Sequence, residues 1–300
     1  MTANFTLRGI ITPLVTPFTP DGQVDESALR ELVEFQIRSG VNGLFTLGTT
    51  GLGPAIEADQ RKKVAAVVVE ESKRRVPVIV QVGASEEATT LELARHAEKV
   101  GANAIASLTP FYYHPGEQAI IEHYQILADT IELPLLVYNI PQNTGNNVDA
   151  KLLLKLSKIQ NVVGIKDSSR DFMQLLDYVQ TLPAWFNIIT GSDSFVFSAL
   201  CAGAHGAVSA TANVFPELFV DLYKAYKAGD LEKGRALQLR IHSLRRMLSD
   251  PPIAPLLEAL KLRGLKGGSV KPPLRSMTGE EIEALQIWMT RLLPEVKQKT

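Results

Sequence analysis

Residues 162–167 read Val-Val-Gly-Ile-Lys-Asp, a short apolar run that ends in two charged side chains. A continuous apolar run, unlike an alternating one, is typical of a strand that is buried on both faces of a parallel sheet. Eight runs of this kind follow one another along the chain, so we expect eight buried strands. They are Gly9–Phe18, Gly43–Gly48, Val78–Gly83, Ala104–Pro110, Leu135–Ile140, Val162–Asp167, Asn187–Gly191 and Gly206–Ala210.

Amphipathic helical patterns separate these runs, and the strands start about 19 to 35 residues apart. That distance is typical of strand–helix units, whose right-handed crossovers place the helices outside a parallel sheet. Eight successive units favour the α/β class and a closed (β/α)8 TIM barrel. An open Rossmann sheet would require a G-x-G-x-x-G motif after the first strand, and none is there. The predicted helices are Asp25–Ser39, Glu57–Lys73, Glu86–Val100, Glu117–Ile131, Asp149–Ser157, Asp171–Gln180 and Ser194–Cys201.

Beyond the eighth run the strand patterns stop, and only helical patterns follow. We therefore expect a C-terminal helical segment that packs on the barrel. The predicted division places residues 1–225 in the barrel, which would carry the active site, and residues 226–300 in the helical segment. The predicted helices of this region are Phe215–Ala228, Leu231–Leu248, Pro252–Arg263 and Thr278–Leu293.

The composition is that of a globular protein, with 300 residues, 45% of them hydrophobic and 21% charged. The formal net charge is -1, and such a chain is not expected to bind nucleic acid, which requires a basic face. No apolar run approaches the roughly 20 residues that a membrane helix needs, and no signal-peptide pattern is visible at the start. A soluble cytoplasmic protein is predicted.

The chain has a single cysteine, Cys201, which excludes an intramolecular disulfide and a cysteine-based zinc cluster. Its apolar neighbours predict that Cys201 is a small core residue. The five histidines form neither a pair at i,i+4 spacing nor an H-E-x-x-H motif. The sequence therefore predicts no metal site and no cofactor.

In a TIM barrel the active site lies at the carboxyl ends of the strands, and Lys166 is the most informative residue there. It follows the apolar residues 162–165 and should emerge from a buried strand. Desolvation lowers the pKa of a lysine and favours the neutral amine, which can attack a ketone and form a Schiff base. The alternative is a structural ion pair with Asp167 or Asp193.

Tyr138 ends the apolar run at residues 135–137 and should present its phenol to the same mouth of the barrel. A phenol can transfer protons when an imine forms and when a carbon–carbon bond breaks. The alternative is an aromatic residue at the rim whose hydroxyl contacts water. His114, in the loop after the fourth strand, is a further candidate for contact with a ligand.

Thr49 and Thr50 lie between Gly48 and Gly51 at the end of the second strand. The two glycines would let backbone N–H groups approach a small anion closely. The threonine hydroxyls could help to hold a carboxylate, or could donate to Tyr138 and orient its proton. The alternative is an ordinary turn with capping threonines.

The motifs at the strand ends, taken in order, resemble those of the dihydrodipicolinate synthase / N-acetylneuraminate lyase family of class I pyruvate aldolases. The similarity spans nearly the whole chain. It implies a (β/α)8 barrel with a C-terminal helical segment, small-molecule substrates and a homotetramer built as a dimer of dimers. The motifs begin at residues 16 (Thr-Pro-Phe), 48 (Gly-Thr-Thr-Gly), 109 (Thr-Pro-Phe-Tyr-Tyr), 138 (Tyr-Asn-Ile-Pro), 164 (Gly-Ile-Lys-Asp), 191 (Gly-Ser-Asp) and 211 (Thr-Ala-Asn-Val).

The resemblance also implies roles for individual residues. Lys166 would form the Schiff base, and Tyr138 would transfer protons. Thr49 and Thr50 would hold the pyruvate carboxylate and contact the tyrosine. Tyr112 matches a tyrosine whose hydroxyl, in many members, reaches into the site of a neighbouring subunit.

Other strand ends supply candidates for substrate contact. Val208 matches a position whose backbone carbonyl faces the pyruvate part of the substrate. The remaining candidates are Gly191, Ser192, Ser168, His114, Tyr112 and Asn143.

Departures from the family pattern bear on the substrate. Dihydrodipicolinate synthases usually carry an arginine where this chain has Asn143, and a neutral amide cannot replace a bidentate guanidinium–carboxylate pair. Leu52 replaces the usual glutamate, and the resulting Gly-Thr-Thr-Gly-Leu-Gly-Pro resembles archaeal 2-keto-3-deoxygluconate aldolases. Those aldolases carry an arginine after the fourth-strand tyrosines, whereas residues 114–117 here contain none. A neutral polyol aldehyde is therefore predicted rather than a phosphorylated one.

The predicted function is reversible aldol cleavage of a 2-keto-3-deoxy sugar acid, with 2-keto-3-deoxygluconate as the first candidate. The alternative is 4-hydroxy-tetrahydrodipicolinate (dihydrodipicolinate) synthase activity, which condenses pyruvate with aspartate semialdehyde. That activity would need a cation in place of the missing arginine, and the sequence indicates no obvious one. A third possibility is a barrel that binds a keto acid without turnover.

Overall fold

The computed structural model describes residues 5–247 and 253–292 of the chain. In these residues eight parallel strands pair in chain order, and β8 pairs with β1 to close a barrel. The predicted (β/α)8 barrel is therefore confirmed. The strands are β1 (Gly9–Pro13), β2 (Gly43–Thr46), β3 (Val78–Gln81), β4 (Ala104–Leu108), β5 (Leu135–Asn139), β6 (Val162–Asp167), β7 (Asn187–Thr190) and β8 (Gly206–Val208).

Helices cover the outside of the barrel, and the predicted C-terminal helices follow β8. None of the helices in the two described ranges combines the length and the apolar character needed to cross a membrane. The predicted helix ends at Leu248, Pro252 and Leu293 lie outside the described residues, and the division at residue 225 stays a prediction. The helices are α1 (Glu26–Arg38), α2 (Ala58–Ser72), α3 (Glu87–Lys99), α4 (Glu117–Thr130), α5 (Pro141–Thr144), α6 (Ala150–Leu156), α7 (Phe172–Thr181), α8 (Val196–Cys201), α9 (Pro216–Ala228), α10 (Leu231–Met247), α11 (Ile253–Leu262) and α12 (Gly279–Leu292).

Strand β1 is shorter than predicted, because it ends at Pro13 rather than at Phe18. Proline has no N–H group to donate to the sheet. The chain beyond it turns over the barrel mouth, where Thr16 Oγ1 donates a hydrogen bond to Gly51 O at 2.7 Å. Residues 14–18 therefore belong to the loops at the carboxyl ends of the strands.

Side chains on each strand alternate between two cores. On β5, Leu136 and Tyr138 lie in the cluster inside the barrel, whereas Leu135 and Val137 lie in the cluster between the sheet and the helices. Burial on both faces explains why the strands form continuous apolar runs. Lys166 is paired with Tyr138 in the register of β5 and β6, so both side chains face the barrel interior.

Cys201 is exposed, so its prediction as a core residue is wrong. It is the last residue of the short helix α8, whose buried face is formed by residues such as Ala199 and Leu200. An apolar sequence neighbourhood does not specify which side of a helix faces the core.

Gly206→Ala is expected to lower the free energy of unfolding by about 3 kcal/mol, as forced overpacking does. Gly206 pairs with Gly9 where β8 meets β1, and a Cβ at 206 would lie 2.3 Å from Gly9 O. The strands would have to separate at the closure of the barrel. Urea unfolding measures the change, with Gly279→Ala as control because a Cβ there has no neighbour within 4 Å. Equal midpoints for the two variants would contradict the expectation.

Candidate active site

A cavity of about 720 Å³ opens at the carboxyl ends of the strands. Nine of the eleven residues predicted for the site line it, and they come from the ends of five different strands and the loops that follow. The nine are Thr49, Thr50, Tyr138, Asn143, Lys166, Ser168, Gly191, Ser192 and Val208.

Lys166 lies inside the barrel and is only 5% exposed. Its Nζ lies 3.8 Å from the centroid of the Tyr138 ring and 4.3 Å from that of Phe45. The backbone approaches it closely on another side, since a Cβ at Gly48 would lie 3.9 Å from Nζ and 2.8 Å from the Phe45 ring. The amine is thus enclosed by two aromatic rings and a glycine, and it faces the cavity.

The two carboxylates proposed as ion-pair partners of Lys166 bind other groups. Asp167 accepts hydrogen bonds from Asn139 Nδ2 at 2.8 Å and Ser169 Oγ at 2.7 Å. Asp193 accepts a hydrogen bond from Thr211 Oγ1 at 2.5 Å. Neither forms a salt bridge with Lys166 in the part of the chain that the structure describes.

Burial raises the pKa of both Asp167 and Asp193, because it disfavours the charged carboxylate. The hydrogen bonds from Ser169 and Asn139 oppose this effect at Asp167, as those from Thr211 and Ser209 do at Asp193. The two carboxylates therefore depend on fixed hydrogen-bond partners that hold the ends of β6 and β7 in place.

Tyr138 is 1% exposed, so it is not a rim residue whose hydroxyl contacts water. Its hydroxyl lies 3.0 Å from Thr49 Oγ1, and either oxygen can be the donor. Its ring meets Phe45 edge to face, with 5.8 Å between centroids. The phenol is thus held on both sides, with its ring against Lys166 Nζ and its oxygen against a threonine hydroxyl.

The loop that carries Thr49 and Thr50 is held by its backbone. Leu47 and Leu52 adopt φ angles of 64° and 56°, in the left-handed region that favours glycine. Gly51, which lies between them, packs closely against the segment that follows β1. A Cβ atom at Gly51 would lie only 2.9 Å from Leu14 O. A loop under such constraint differs from an ordinary turn and fixes both threonines at the cavity.

Tyr112 does not line the cavity of its own chain. It is 83% exposed, has a φ of 77°, and stacks edge to face on Tyr113. The ring therefore lies on the surface of this chain. A role for its hydroxyl in the site of a neighbouring subunit stays a prediction.

His114 also does not line this cavity, and its contact with substrate stays a prediction. Its Nδ1 lies 3.4 Å from Asn146 Oδ1, and its ring packs so closely on Gly145 that a Cβ there would lie 2.5 Å from Cε1. Asn146 Nδ2 in turn donates to the backbone oxygens of Pro110 and Tyr113. His114 therefore joins two loops beside the site.

Sequence reasoning missed several residues that line the cavity. Gln142 donates from Nε2 to Ser168 O at 2.9 Å and connects the loops after β5 and β6. Three arginines also reach the cavity. They are Arg170, in the loop after β6, and Arg245 and Arg246, in the last turn of α10. The adjacent basic pair was visible in the sequence, but its position over the barrel depends on how α10 packs.

Comparison with known proteins gives consistent matches along the chain. The model of the dihydrodipicolinate synthetase family matches residues 6–291. An uncharacterized DapA-like lyase from Halobacterium salinarum is 38% identical over 281 residues, which cover 93% of this chain and 92% of that protein. A 4-hydroxy-tetrahydrodipicolinate synthase from Methanopyrus kandleri is 34% identical over 297 residues, which cover 97% and 99%.

Solved structures agree with these matches. The prophage protein YagE from E. coli K12, of the dihydrodipicolinic acid synthase family and in complex with pyruvate, superposes with a TM-score of 0.92. It is 31% identical, with 95% of this chain and 98% of that chain covered. Dihydrodipicolinate synthase from Aquifex aeolicus gives a TM-score of 0.90 at 28% identity, with the same coverage. The chain therefore belongs to the dihydrodipicolinate synthetase family.

Proposed function

We propose that this protein is a class I aldolase that forms a Schiff base with its substrate through Lys166. The reaction is reversible cleavage of a 2-keto-3-deoxy sugar acid to pyruvate and an aldehyde, and 2-keto-3-deoxygluconate is the first candidate. The observation that carries the proposal is the buried Lys166 Nζ, which faces a cavity beside the Tyr138 hydroxyl. YagE, whose structure contains pyruvate, supports a keto-acid site in this fold.

The chemistry begins when Lys166 Nζ attacks the C2 carbonyl and water leaves, which gives a protonated imine. Tyr138 takes the proton of the C4 hydroxyl, the C3–C4 bond breaks, and its electron pair moves toward the imine nitrogen. The aldehyde departs and leaves an enamine on the lysine. Protonation at C3 and hydrolysis by water then release pyruvate and restore the amine.

The substrate carboxylate would lie on the constrained loop after β2. Thr50 lines the cavity there, and the hydroxyl of Thr49 is bonded to Tyr138. Val208 and Gly191 line other parts of the same cavity. In this proposal Thr50 binds the carboxylate, and Thr49 orients the Tyr138 hydroxyl for proton transfer.

The second candidate is 4-hydroxy-tetrahydrodipicolinate synthase. The name of the Methanopyrus kandleri relative, 34% identical over 297 residues, favours it. The presence of Asn143 opposes it, although the arginines at the cavity show that cations are available from other elements. Both candidates use the same imine with pyruvate, so only the aldehyde partner separates them. We also expect a homotetramer and a cytoplasmic location from the family resemblance.

Borohydride reduction in the presence of pyruvate tests the shared imine. The expected result is a covalent gain in mass, located on the peptide that contains Lys166. A barrel that binds a keto acid without imine chemistry would show no gain. Pyruvate consumption is then compared with D-glyceraldehyde and with aspartate semialdehyde. Turnover with aspartate semialdehyde alone would reject the sugar-acid aldolase in favour of the synthase.

A further inference from the structure

The carboxyl ends of β5 and β6 carry a second pair of side chains next to Tyr138 and Lys166. Asn139 is paired with Asp167, one step along the same register that pairs Tyr138 with Lys166. We propose that Asn139 and Asp167 are positioning residues, which hold β5 and β6 in the register that brings the Tyr138 phenol against Lys166 Nζ. The inference rests on the proposed function, because that function assigns imine formation and proton transfer to these two groups.

Asn139 and Asp167 lie on the face of the strands opposite to Tyr138 and Lys166, because successive side chains alternate. Asn139 is fully buried, and Asp167 is 3% exposed. Asn139 Nδ2 donates to Asp167 Oδ1 at 2.8 Å. A buried hydrogen bond therefore joins the two strands directly behind the amine and the phenol.

The ladder between β5 and β6 is irregular at its amino end. The register shifts between Leu135 and Leu136, where β6 carries one extra residue, Val163. A bulge of this kind interrupts the ladder, so the pairing beyond it must be fixed by other contacts. A slip by one residue would turn the side chains of β6 to the opposite face. Lys166 would then point toward the helices and away from Tyr138.

The Asn139 amide is held in one orientation by its partners. Its Nδ2 also donates to Asn147 Oδ1 at 2.9 Å, and its Oδ1 accepts from Val148 N at 3.0 Å. Both N–H groups and the oxygen of the amide are therefore used. Asp167 Oδ1 can only accept as a carboxylate, and Val148 N can only donate, so rotation of the amide would break both bonds. This arrangement makes the pair a rigid connection between the strands.

The backbone of the same two residues reaches the loops that line the cavity. Ser168 N donates to Asn139 O at 2.8 Å, and Gly191 N donates to Asp167 O at 2.6 Å. Ser168 and Gly191 both line the cavity. Movement of the pair would therefore shift the lining of the site as well as the two strands.

A simpler account is that Asn139 and Asp167 only satisfy each other, as buried polar groups generally must. Their substitution would then lower the stability of the protein and leave the rate per folded molecule unchanged. The positioning role predicts a slower reaction, because misplacement of reacting groups by about 1 Å can cost about 10²-fold in rate. The rate and the stability therefore distinguish the two accounts.

Asn139→Ala should lower the rate of imine formation with pyruvate about 10²-fold per folded molecule. Rapid mixing followed by borohydride quenching measures this rate. The pyruvate concentration that gives half the maximal rate should change little, because the proposed carboxylate contact, Thr50, lies on the loop after β2. Asn161→Ala is the matched control, since Asn161 is buried and donates to Ile131 O just before β6 begins, at the opposite end of the barrel. It should lose stability and retain the rate.

An exchange of the two side chains tests the bond itself. Asn139→Asp places a carboxylate against Asp167 and should slow imine formation about as much as Asn139→Ala does. Asn139→Asp combined with Asp167→Asn restores one amide and one carboxylate in the reverse order. The double variant should be at least about tenfold faster than Asn139→Asp, a coupling expected for residues in direct contact.

An unchanged rate in Asn139→Ala, an equal loss in Asn161→Ala, or a folded double variant without recovery would overturn the positioning role. Hydrogen exchange separates this failure from failure of the proposed function, because it requires no reaction. The Ser168 amide should exchange about tenfold faster in Asn139→Ala than in the wild type, as local opening allows. Faster exchange without a borohydride adduct in the wild type would reject only the aldolase. A wild-type adduct, with unchanged exchange and rate in Asn139→Ala, would reject only the positioning role.

Discussion

Lys166→Ala is expected to lower kcat/KM by about 10⁴-fold or more. Loss of the covalent nucleophile removes the entire Schiff-base pathway, whereas loss of a binding residue would remove only a single contact. No other lysine lines the cavity in the described parts of the chain, so no second amine can substitute. The variant should also show no gain in mass with pyruvate and borohydride. Steady-state turnover and intact mass measure the two effects.

The fold should survive this change. Lys166 makes no salt bridge in residues 5–247 and 253–292, and its Nζ contacts rings that pack against each other without it. Circular dichroism should therefore show the same helix content as the wild type. Lys151→Ala, on the exposed side of α6, is the control for loss of a lysine in general. Full activity in Lys166→Ala would sink the Schiff-base mechanism.

The strands could be predicted from local pattern because both faces of each strand are buried. Val162–Asp167, for example, has the same bounds in the prediction and in the structure. The end of β1 was placed five residues too late, because residues 14–18 are apolar for a different reason. Leu14 and Val15 are buried under the loops at the barrel mouth and not in the sheet. Apolar character reports burial and does not report strand geometry.

Short elements could not be predicted in the same way. Helix α5 spans only Pro141–Thr144, which is too few residues for a helical period to be visible. It nevertheless positions Asn143 at the cavity. The left-handed backbone at Tyr112 was equally invisible, because nothing in a tyrosine side chain signals a positive φ.

The same distinction between local geometry and long-range packing applies to the residues of the site. Lys166 and Tyr138 could be located because a strand determines both the depth and the direction of its side chains. The position of His114 beside the cavity could not be predicted, because loop conformation depends on contacts with another loop, here at Gly145. Arg245 and Arg246 were missed because their position depends on Gln238 and the packing of α10. Prediction from sequence succeeded where local geometry decides and failed where long-range packing decides.

Tyr138→Phe is expected to lower kcat by about 10²- to 10⁴-fold, the contribution of a positioned acid–base group. The ring and its edge-to-face contact with Phe45 are retained, and only the hydroxyl bonded to Thr49 is lost. Imine formation and carbon–carbon cleavage should both slow, which rapid mixing with pyruvate and single-turnover assays can measure. Binding of the keto acid itself should change little.

Tyr124→Phe is the matched control, because Tyr124 is also buried but donates its hydroxyl hydrogen bond to Ser107 O, away from the cavity. It should lose stability to a similar extent and retain kcat. A loss of kcat in Tyr124→Phe as large as that in Tyr138→Phe would mean that buried phenols act here through stability alone. The proton-transfer role would then be rejected.

A double-mutant cycle shows whether Thr49 acts through Tyr138. If the Thr49 hydroxyl only orients the phenol, Thr49→Val should lower kcat, and Tyr138→Phe combined with Thr49→Val should be no slower than Tyr138→Phe alone. The 3.0 Å bond between the two hydroxyls motivates this expectation. Additive losses, accompanied by a higher KM for pyruvate, would instead place Thr49 on the carboxylate beside Thr50. Thr49 and Thr50 would then both bind the substrate carboxylate, and Thr49 would have no separate role in proton transfer.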